Sequence, residues 1–377
     1  MDEMGVVIQA GAAVLRPHRA EDADDVVLAC NDPLTQRFLT GLPSPYRRED
    51  ALEFLTGKAP AMVADGRPQY AIADPATGRL LGAIGFGRAH GRVGEVGYWV
   101  APWARRRGVA TAAVRALSDR AFANGFGRLE LRTDPANTNS QRVALAAGFS
   151  WECVQRQGAA DEPEPERRDR IMWVRLPEDP PGPTRRILPD LPGGELTDGT
   201  VTLRPVGADD VDDMLALRSL PEVVRSTVPP KPPERADVAR RCIRAMSHWL
   251  SGHRAVLSIR DAASGRFAGE IGLLLLERNT DVAMTGYGIA PQWRGLGYAS
   301  AALRLLADWA FDAVGLVRIE AGTSPDNAAS QRVLEAAGFR HEGRVRGSRP
   351  GPDGTRSDDL MYGLLKGELI PTRTPRR

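Results

Sequence analysis

The chain repeats itself, and this repeat limits the folds it can adopt. VLRP at Val14–Pro17 returns as TLRP at Thr202–Pro205, 188 residues later. Ala101–Leu117 aligns without a gap on Ala290–Leu306, with nine of seventeen residues identical. Each copy is long enough to bury its own core, so the repeat indicates a duplicated domain and not a solenoid unit. A chain of 377 residues is also a comfortable length for two domains.

Two further matches extend the repeat to its C-terminal part. Ser140–Phe149 and Ser330–Phe339 share eight of ten residues, and RRDRIMW (167–173) returns as RSDDLMY (356–362). Between the copies runs PEDPPGPTRRILPDLPGG, whose prolines and glycines are typical of a linker. We therefore predict an N-terminal domain over 1–176, a linker over 177–197, a C-terminal domain over 198–369 and a tail over 370–377.

Composition excludes several classes of protein. Hydrophobic residues make up 42% and charged residues 26% of the chain, as in globular proteins. The net charge of +2 provides no global field for nucleic acid or an anionic membrane, and neither is expected as a partner. Three cysteines without pairing or metal-ligand spacing indicate a reducing compartment and no metal. The first residues do not resemble a signal peptide and no apolar run has membrane-spanning length, so we expect a cytoplasmic protein.

Both copies predict the same order of elements. A short strand (Ala13–Arg16 in the first copy) leads into a polar helical segment, and two strands joined by a turn follow. A fourth strand, Glu95–Val100, runs into a basic glycine-containing loop and then a helix with one apolar face. A fifth strand, a second helix and a last strand complete the unit. Hairpins combined with strands on both sides of a helix predict an α/β fold with a mixed sheet and flanking helices.

The loop before that helix has the composition of an anion site. In the second copy it is Gln292–Gly297, followed by the helix start at Tyr298. Glycines allow a close backbone approach, and the helix N-terminus presents unpaired N–H groups that suit a pyrophosphate. For an isolated G-x-G the alternative is a glycine-capped turn without a ligand.

The loop and its surroundings resemble the GNAT superfamily of N-acetyltransferases. The wider pattern GYWVAPWAR…GVATAA followed by N-x-x-S-x-x-V-x-x-x-x-GF is similar to the ribosomal-protein (RimJ/RimL-like) branch. The resemblance covers nearly all of both copies except the linker and tail, and implies tandem acyl-CoA N-acyltransferase domains that use acetyl-CoA as co-substrate. In the second copy it implies CoA contacts at Ile289, Arg294, Gly295, Leu296, Gly297, Tyr298, Ala299, Ser300 and Asn327. In the first copy it implies CoA contacts at Val100, Arg105, Arg106, Arg107, Gly108, Val109, Ala110, Thr111 and Asn137.

The first copy departs from the family's loop pattern. In the gap-free alignment Arg106 replaces Gly295, and Gly108 corresponds to Gly297. A two-residue shift would restore the pattern, but we favour the gap-free alignment, in which Arg106 must adopt a backbone angle acceptable to a residue with a Cβ. The arginines here either help hold CoA phosphates or form a solvated basic turn.

Glu95 is the candidate general base. A protonated amine must lose a proton before it attacks a thioester, and a carboxylate beside the acyl group can accept it. Strand alternation places Glu95, Gly97 and Trp99 on one face, and in the enzymes it resembles a Glu at this position points into the substrate cleft. The second copy carries Met284 there, which cannot accept a proton; Glu270 on the preceding strand is a weaker substitute.

Ser140 and Ser330 are the candidate proton donors. The resemblance implies that Asn137 and Asn327 bind pantetheine amides, while each serine donates to the departing CoA sulfur. A helix N-cap is the alternative role for the asparagines. Other branches place a tyrosine seven residues after this Asn, but the chain has Ala144 and Leu334 there. We interpret Tyr98 and Tyr287 as packing residues.

These residues together predict an N-acetyltransferase that transfers an acetyl group directly to a primary amine. No cysteine occupies a repeated position, so no covalent enzyme intermediate is expected. The acceptor is a peptide N-terminus or a small-molecule amine, and two copies in one chain are compatible with a pseudo-dimer. Chemistry is predicted in the first copy. The alternatives are that a copy is a non-catalytic acyl-CoA-binding or scaffold module, or that the chain resembles mycothiol synthase or an aminoglycoside-modifying enzyme.

Overall fold

The computed structural model of the protein describes residues 6–39, 41–158, 168–227, 230–276, 281–350 and 354–371. The chain divides into two compact units, Met1–Arg185 and Arg186–Arg377. Each unit contains one eight-stranded mixed sheet with flanking helices, which confirms the predicted α/β fold. In the part of the chain that is described, no helix has the length and apolar character needed to cross a membrane.

The elements of the first unit follow the order predicted from its sequence. They are β1 (Ile8–Ala10), β2 (Ala13–Arg16), α1 (Ala23–Cys30), α2 (Pro33–Phe38), α3 (Arg48–Glu53), α4 (Ala59–Ala64), β3 (Gln69–Ala73), β4 (Leu80–His90), β5 (Val93–Val100), α5 (Val109–Ala123), β6 (Arg128–Thr133), α6 (Thr138–Ala146), β7 (Ser150–Gln155) and β8 (Arg170–Arg175).

The second unit repeats this order with longer elements around its C-terminal hairpin. They are β9 (Leu196–Thr197), β10 (Val201–Pro205), α7 (Val211–Arg218), α8 (Pro221–Ser226), α9 (Arg235–Leu250), β11 (Arg254–Asp261), β12 (Phe267–Leu275), β13 (Val282–Ile289), α10 (Tyr298–Trp309), β14 (Arg318–Thr323), α11 (Ala328–Ala337), β15 (Arg340–Pro350) and β16 (Arg356–Leu365).

Both sheets have the same topology. The strand order is β1-β2-β3-β4-β5-β6-β8-β7 in the first unit and β15-β16-β14-β13-β12-β11-β10-β9 in the second. Neighbouring strands are antiparallel except β5 with β6 and β13 with β14, which are parallel. The strands absent from the prediction, β1, β7 and their counterparts β9 and β15, all lie at sheet edges. Exposed edge strands need no apolar alternation, so the pattern that reveals a half-buried strand is missing there.

The helices α5 and α10 pack as their apolar spacing predicts. Ala113, Val114 and Leu117 of α5 are all buried, as are Leu303 and Leu306 of α10. Residues three and four apart lie on one face of a helix, so these side chains form a continuous stripe against the sheet.

The first half of the segment predicted as a linker packs on the first unit, and its second half packs on the second unit. Thr184 donates its backbone N–H to Leu145 O at 2.8 Å and its hydroxyl to Phe149 O at 2.9 Å, within the first unit. Leu188 and Leu191 are buried in the core of the second unit, where Trp249 Nε1 donates to Pro189 O at 3.0 Å. The division between units therefore falls inside this segment, after Arg185.

A buried ion pair fixes the start of the first unit's sheet. Arg16 of β2 makes a bidentate contact with Asp22, with Nη2–Oδ1 and Nη1–Oδ2 distances of 2.6 and 2.8 Å. His18 lies beside this pair, edge-on to Phe54 at 5.4 Å. Burial lowers the pKa of His18 from 6.5 to about 4; Asp22 opposes the shift and Arg16 adds to it. The folded unit therefore holds His18 neutral.

We predict that acid destabilises the first unit through His18. The unfolded chain binds a proton near pH 6.5 and the folded chain only near pH 4, so this contribution is complete above pH 6.5 and is lost as pH falls toward 4. The loss amounts to about 3 kcal/mol at most. Thermal unfolding of the full chain should show it, and His18→Val, which introduces the residue of the matching position Val206, should remove it. The exposed His90→Val serves as control; an unchanged pH profile for His18→Val would contradict the assignment.

Candidate active site

The first unit contains a cleft where two parallel strands separate. β5 and β6 pair from Val93 with Arg128 to Glu95 with Glu130, and beyond this point β5 continues to Val100 without β6. The separation leaves backbone N–H and C=O groups on that edge of β5 available to a ligand. A cavity of about 720 Å³ lies at this opening and is lined by Glu95, Tyr98 and Ser140.

Glu95 is the last residue of β5 that pairs with β6, and its side chain lines the cavity. Its carboxylate forms an ion pair with Arg132 of β6, and the two side chains are 23% and 17% exposed. The arginine orients the carboxylate at the point where the strands part. A partly buried carboxylate in a cavity, held in one orientation, has the position that a general base requires.

The loop between β5 and α5 follows the gap-free alignment of the two copies. Gly295 and Gly297 have φ angles of 76° and 83°, and Arg106 and Gly108 have φ angles of 61° and 76°. Arg106 thus adopts the left-handed conformation of the glycine it replaces, at a cost to a residue with a Cβ. The same turn is therefore formed in both copies despite the different sequence.

This turn presents the first backbone amides of a helix. The earliest α5 amide to bond back along the chain is that of Ala112, which donates to Gly108 O at 3.0 Å; in α10, Ala301 donates to Gly297 O at 3.0 Å. The amides before these have no acceptor within the helix and suit a phosphate. Val109, Ala110 and Thr111 line the cavity in the first unit.

The guanidinium groups of Arg105 and Arg294 hold the loop itself. Arg105 Nε donates to Val100 O at 3.3 Å, and its Nη2 lies 2.5 Å from Asp32 Oδ2. Arg294 makes the corresponding contacts with Ile289 O at 3.0 Å and Glu222 at 2.8 Å. Both of these side chains thus already have acceptors within the protein.

Among the contacts predicted in the second copy, Tyr298 has a structural side chain. Its ring stacks on Trp293 with centroids 5.3 Å apart, and its hydroxyl donates to Asp261 Oδ1 at 2.5 Å. The hydrogen bond to Asp261 raises the pKa of Tyr298 to about 12. Leu296, by contrast, is exposed. Ala299 and Ser300 lie with Tyr298 in the first turn of α10.

Asn137 and Asn327 both cap a helix. Asn137 Oδ1 accepts from Ser140 N at 3.1 Å at the start of α6, and Asn327 Oδ1 accepts from Ser330 N at 3.0 Å at the start of α11. An N-cap satisfies one of the free amides of the first turn. It also fixes the serine three residues later, so the cap positions the hydroxyl of Ser140 at the cavity.

A tyrosine hydroxyl contacts the candidate serine in each unit. Tyr98 Oη lies 2.8 Å from Ser140 Oγ, and Tyr287 Oη lies 2.9 Å from Ser330 Oγ. Burial raises the pKa of Tyr287 to about 12 and raises that of Tyr98 further. Both phenols therefore stay protonated at neutral pH. The interpretation of these tyrosines as packing residues omitted this polar contact.

Each copy of the repeat matches the same known protein family. The sequence profile of the acetyltransferase (GNAT) domain matches residues 13–150 and again residues 200–340. The chain belongs to the GNAT acetyltransferase family. It is an N-acetyltransferase built from two GNAT domains, as the sequence predicted.

Several relatives share one GNAT domain with the chain. It is 29% identical over 170 residues to an uncharacterized N-acetyltransferase, p20, of Bacillus licheniformis, which spans 45% of this chain and 94% of the relative. It is 41% identical over 86 residues to the probable N-acetyltransferase YjcK of Bacillus subtilis, covering 22% of this chain and about half (48%) of that relative. A structure of Mycobacterium smegmatis RimJ in complex with CoA-disulfide matches 48% of this chain and 89% of RimJ, with 27% identity and a TM-score of 0.38.

The two GNAT domains differ at the candidate base Glu95 and at its partner Arg132. Met284 of β13 occupies the position of Glu95, and Gly322 of β14 occupies the position of Arg132. Both members of the ion pair are therefore absent from the second domain. A neighbouring network is present in both, with Arg128 contacting Glu130 and Glu152 in the first domain. Its counterpart joins Arg318 to Glu320 and Glu342.

Glu270, the weaker candidate base of the second domain, lies away from the position of Met284. It shares a sheet face with Met284, because Glu270 lies opposite Gly288 and Leu274 opposite Met284. Four positions along a strand correspond to about 13 Å. Its carboxylate is also paired with Arg218, at 2.5 Å.

Most residues predicted for the first site come together around one cavity. Glu95 and Ser140 line it, as do the predicted CoA contacts Val100, Arg105, Arg106, Gly108, Val109, Ala110, Thr111 and Asn137. Arg107 is not among the residues around this cavity. Arg132 and the contact between Tyr98 and Ser140 are features of the site that were not predicted from the sequence. The joint replacement of Glu95 by Met284 and Arg132 by Gly322 was a signal that could have identified Arg132.

We predict that Arg106→Gly stabilises the first domain. Glycine adopts a φ near 61° without the steric cost that arginine bears, although it loses more entropy on folding, so a gain of about 1 kcal/mol is expected. The matched change, Gly295→Arg, should destabilise the second domain by a similar amount. Hydrogen exchange read by mass spectrometry on the full chain reports each domain separately. Equal opening free energies for wild type and both variants would contradict strain at this turn.

Proposed function

We propose that the first domain transfers an acetyl group directly from acetyl-CoA to a primary amine. The observation that carries this proposal is the Glu95–Arg132 pair at the point where β5 and β6 separate, in one cavity with Ser140 and Tyr98. A base and a proton donor that line one cavity are the two groups that amide formation from a thioester requires.

Residues of the first domain fit the co-substrate. The free amides at the start of α5 would hold its pyrophosphate, and the unpaired edge of β5 up to Val100 would hold its pantetheine amides. Acetyl-CoA supplies the acetyl group as a thioester and departs as a thiol. The cavity of about 720 Å³ is large enough for the reacting end of such a molecule together with an amine.

Glu95 accepts the proton of the amine in this proposal. An alkylammonium cannot attack a carbonyl carbon, because its nitrogen lone pair is bound to a proton. The carboxylate can remove that proton directly or through a water. Arg132 is a positioning residue, since it contacts Glu95 and keeps the carboxylate aimed into the cleft.

Ser140 and Tyr98 supply the proton that the departing thiolate needs. Ser140 Oγ can donate into the cavity while it accepts a hydrogen bond from Tyr98 Oη, 2.8 Å away. Because burial raises the pKa of Tyr98, the phenol keeps its proton and can replace the one that serine releases. On going from ammonium to amide the nitrogen loses two protons: one is released to solvent through Glu95, and the other offsets the proton that the departing thiolate takes up.

The second domain retains the turn, the helix N-terminus and the Ser330–Tyr287 contact but has neither Glu95 nor Arg132. It is therefore assigned CoA binding without the base-dependent step. The acceptor class, a peptide N-terminus or a small-molecule amine, is best sought by an activity screen over peptides, polyamines and aminoglycosides.

We predict that Glu95→Gln lowers kcat for acetyl transfer by about 10²–10⁴-fold at neutral pH, the contribution typical of a general base. Glutamine keeps the shape of the side chain and can still accept a hydrogen bond from Arg132. Activity should recover as pH rises toward the pKa of the acceptor amine, because the free amine then no longer needs a base.

The control is Met284→Gln at the matching position, which should leave kcat unchanged. Both variants are assayed as full chains with the same acceptor, following thiol release. Full activity of Glu95→Gln at neutral pH would exclude Glu95 as the base. A loss that higher pH does not relieve would indicate a structural role instead.

A further inference from the structure

The second domain contains an arginine-lined pocket. A cavity of about 370 Å³ is lined by Arg218, Arg240, Arg241, Arg244 and Arg254, together with His248. Arg218 ends α7, Arg254 begins β11, and the others project from α9. Five arginines around one small cavity concentrate positive charge in a chain whose net charge is only +2.

The charge of this pocket is only partly neutralised. Arg218 pairs with Glu270 at 2.5 Å, and Arg240 pairs with Asp237. Within the described ranges, Arg241 and Arg254 have no ion pair or hydrogen bond to a carboxylate. The pocket therefore carries more guanidinium groups than carboxylates.

Arg241 is largely removed from solvent and, within the described part of the chain, has an unsatisfied hydrogen-bond donor. Its Nε is buried and, among the residues whose placement is known, has no hydrogen-bond partner; Arg218 Nε is in the same condition. Burial, with a smaller contribution from the nearby Arg218, lowers the pKa of Arg241 to about 10, while Glu270 opposes the shift. A buried charge without a partner is costly, and an oxyanion accepting from several guanidinium groups would remove that cost.

Two positions of this region are apolar in the first domain. Cys30, the last residue of α1, occupies the position of Arg218, and Ala83 of β4 occupies the position of Glu270. Cys30 and Leu55 are buried there in a hydrophobic cluster against which Phe54 packs. The Arg218–Glu270 ion pair therefore has no counterpart at these positions of the first domain.

This pocket is separate from the proposed CoA loop. Arg254 of β11 lies opposite Leu274, which lies opposite Met284. Met284 precedes Ile289, the last residue before the loop region, by five residues, or about 17 Å along the strand. The pocket also lies on the sheet face of Met284, the face that bears Glu95 in the first domain.

We propose that the second domain binds a compact oxyanion with two or more negative charges in the pocket formed by Arg218, Arg241, Arg244 and Arg254. Phosphate esters and polycarboxylates share this chemistry, since planar guanidinium groups bind both through paired hydrogen bonds. Arg241 and Arg254 supply the attraction, and the apolar side chains of Val238 and Val256 limit the size of the ligand.

Calorimetry on the full chain tests this proposal, with pyrophosphate and citrate as probes and saturating CoA present to occupy the loop sites. One pyrophosphate, or one citrate, should bind per chain; pyrophosphate alone would assign the pocket to phosphates, and both probes would assign it to oxyanions generally. Arg241→Gln and Arg254→Gln should each weaken binding at least about tenfold, the effect of losing one charge-assisted hydrogen bond.

Arg235→Gln is the matched control, because Arg235 lies on the same helix, is exposed, and pairs with Asp212 at 2.7 Å outside the pocket. It should leave the affinity unchanged. The thermal unfolding temperature of Arg241→Gln should not fall, since the change removes an uncompensated buried charge. No binding in the presence of CoA, or an equal loss of affinity in Arg235→Gln, would overturn the proposal.

Discussion

The separation of two parallel strands is the constraint on which the site depends. β5 and β6 stay paired only as far as Glu95 with Glu130, and β13 and β14 only as far as Met284 with Glu320. A parallel sheet would normally satisfy every backbone group of its inner strands, so the separation is an opening built into an otherwise continuous sheet. The strand continues from it into the left-handed turn and the helix N-terminus. The separation of the two strands thus places a polar strand edge and a group of free amides beside the same cavity.

Duplication kept this backbone and changed the side chains at the opening. The networks of Arg128 and Arg318, the helix caps and the tyrosine–serine contacts occur in both domains. The candidate base Glu95 and the arginine paired with it occur only in the first. On the same sheet face, the second domain carries the arginine-lined pocket. The two domains therefore share a backbone framework, while the polar side chains on this face differ.

Much of this architecture was predictable from the sequence, because the two copies show each motif and each apolar pattern twice. Buried strands and the apolar face of α5 follow from alternation and helical spacing, and the turn follows from its glycines. The edge strands β7 and β15 were missed, since exposed strands carry little pattern. Arg132 was missed because a lone arginine on a strand has no spacing signal, and Tyr98 because its partner is 42 residues away. The φ of 61° at Arg106 could be established only from the structure, because a residue with a Cβ rarely adopts such an angle.

Blocking the strand opening of each domain in turn is the most direct test of where acetyl transfer takes place. Gly97 and Gly286 occupy matching strand positions, and a Cβ added at either meets no atom within 4 Å, so valine fits the fold and projects toward the opening. Acetyl transfer by the full chain should be measured for Gly97→Val and Gly286→Val under identical conditions. If transfer takes place in the first domain, Gly97→Val should abolish it, while Gly286→Val should leave kcat near that of the wild type. Transfer that survives Gly97→Val and is lost in Gly286→Val would contradict this assignment.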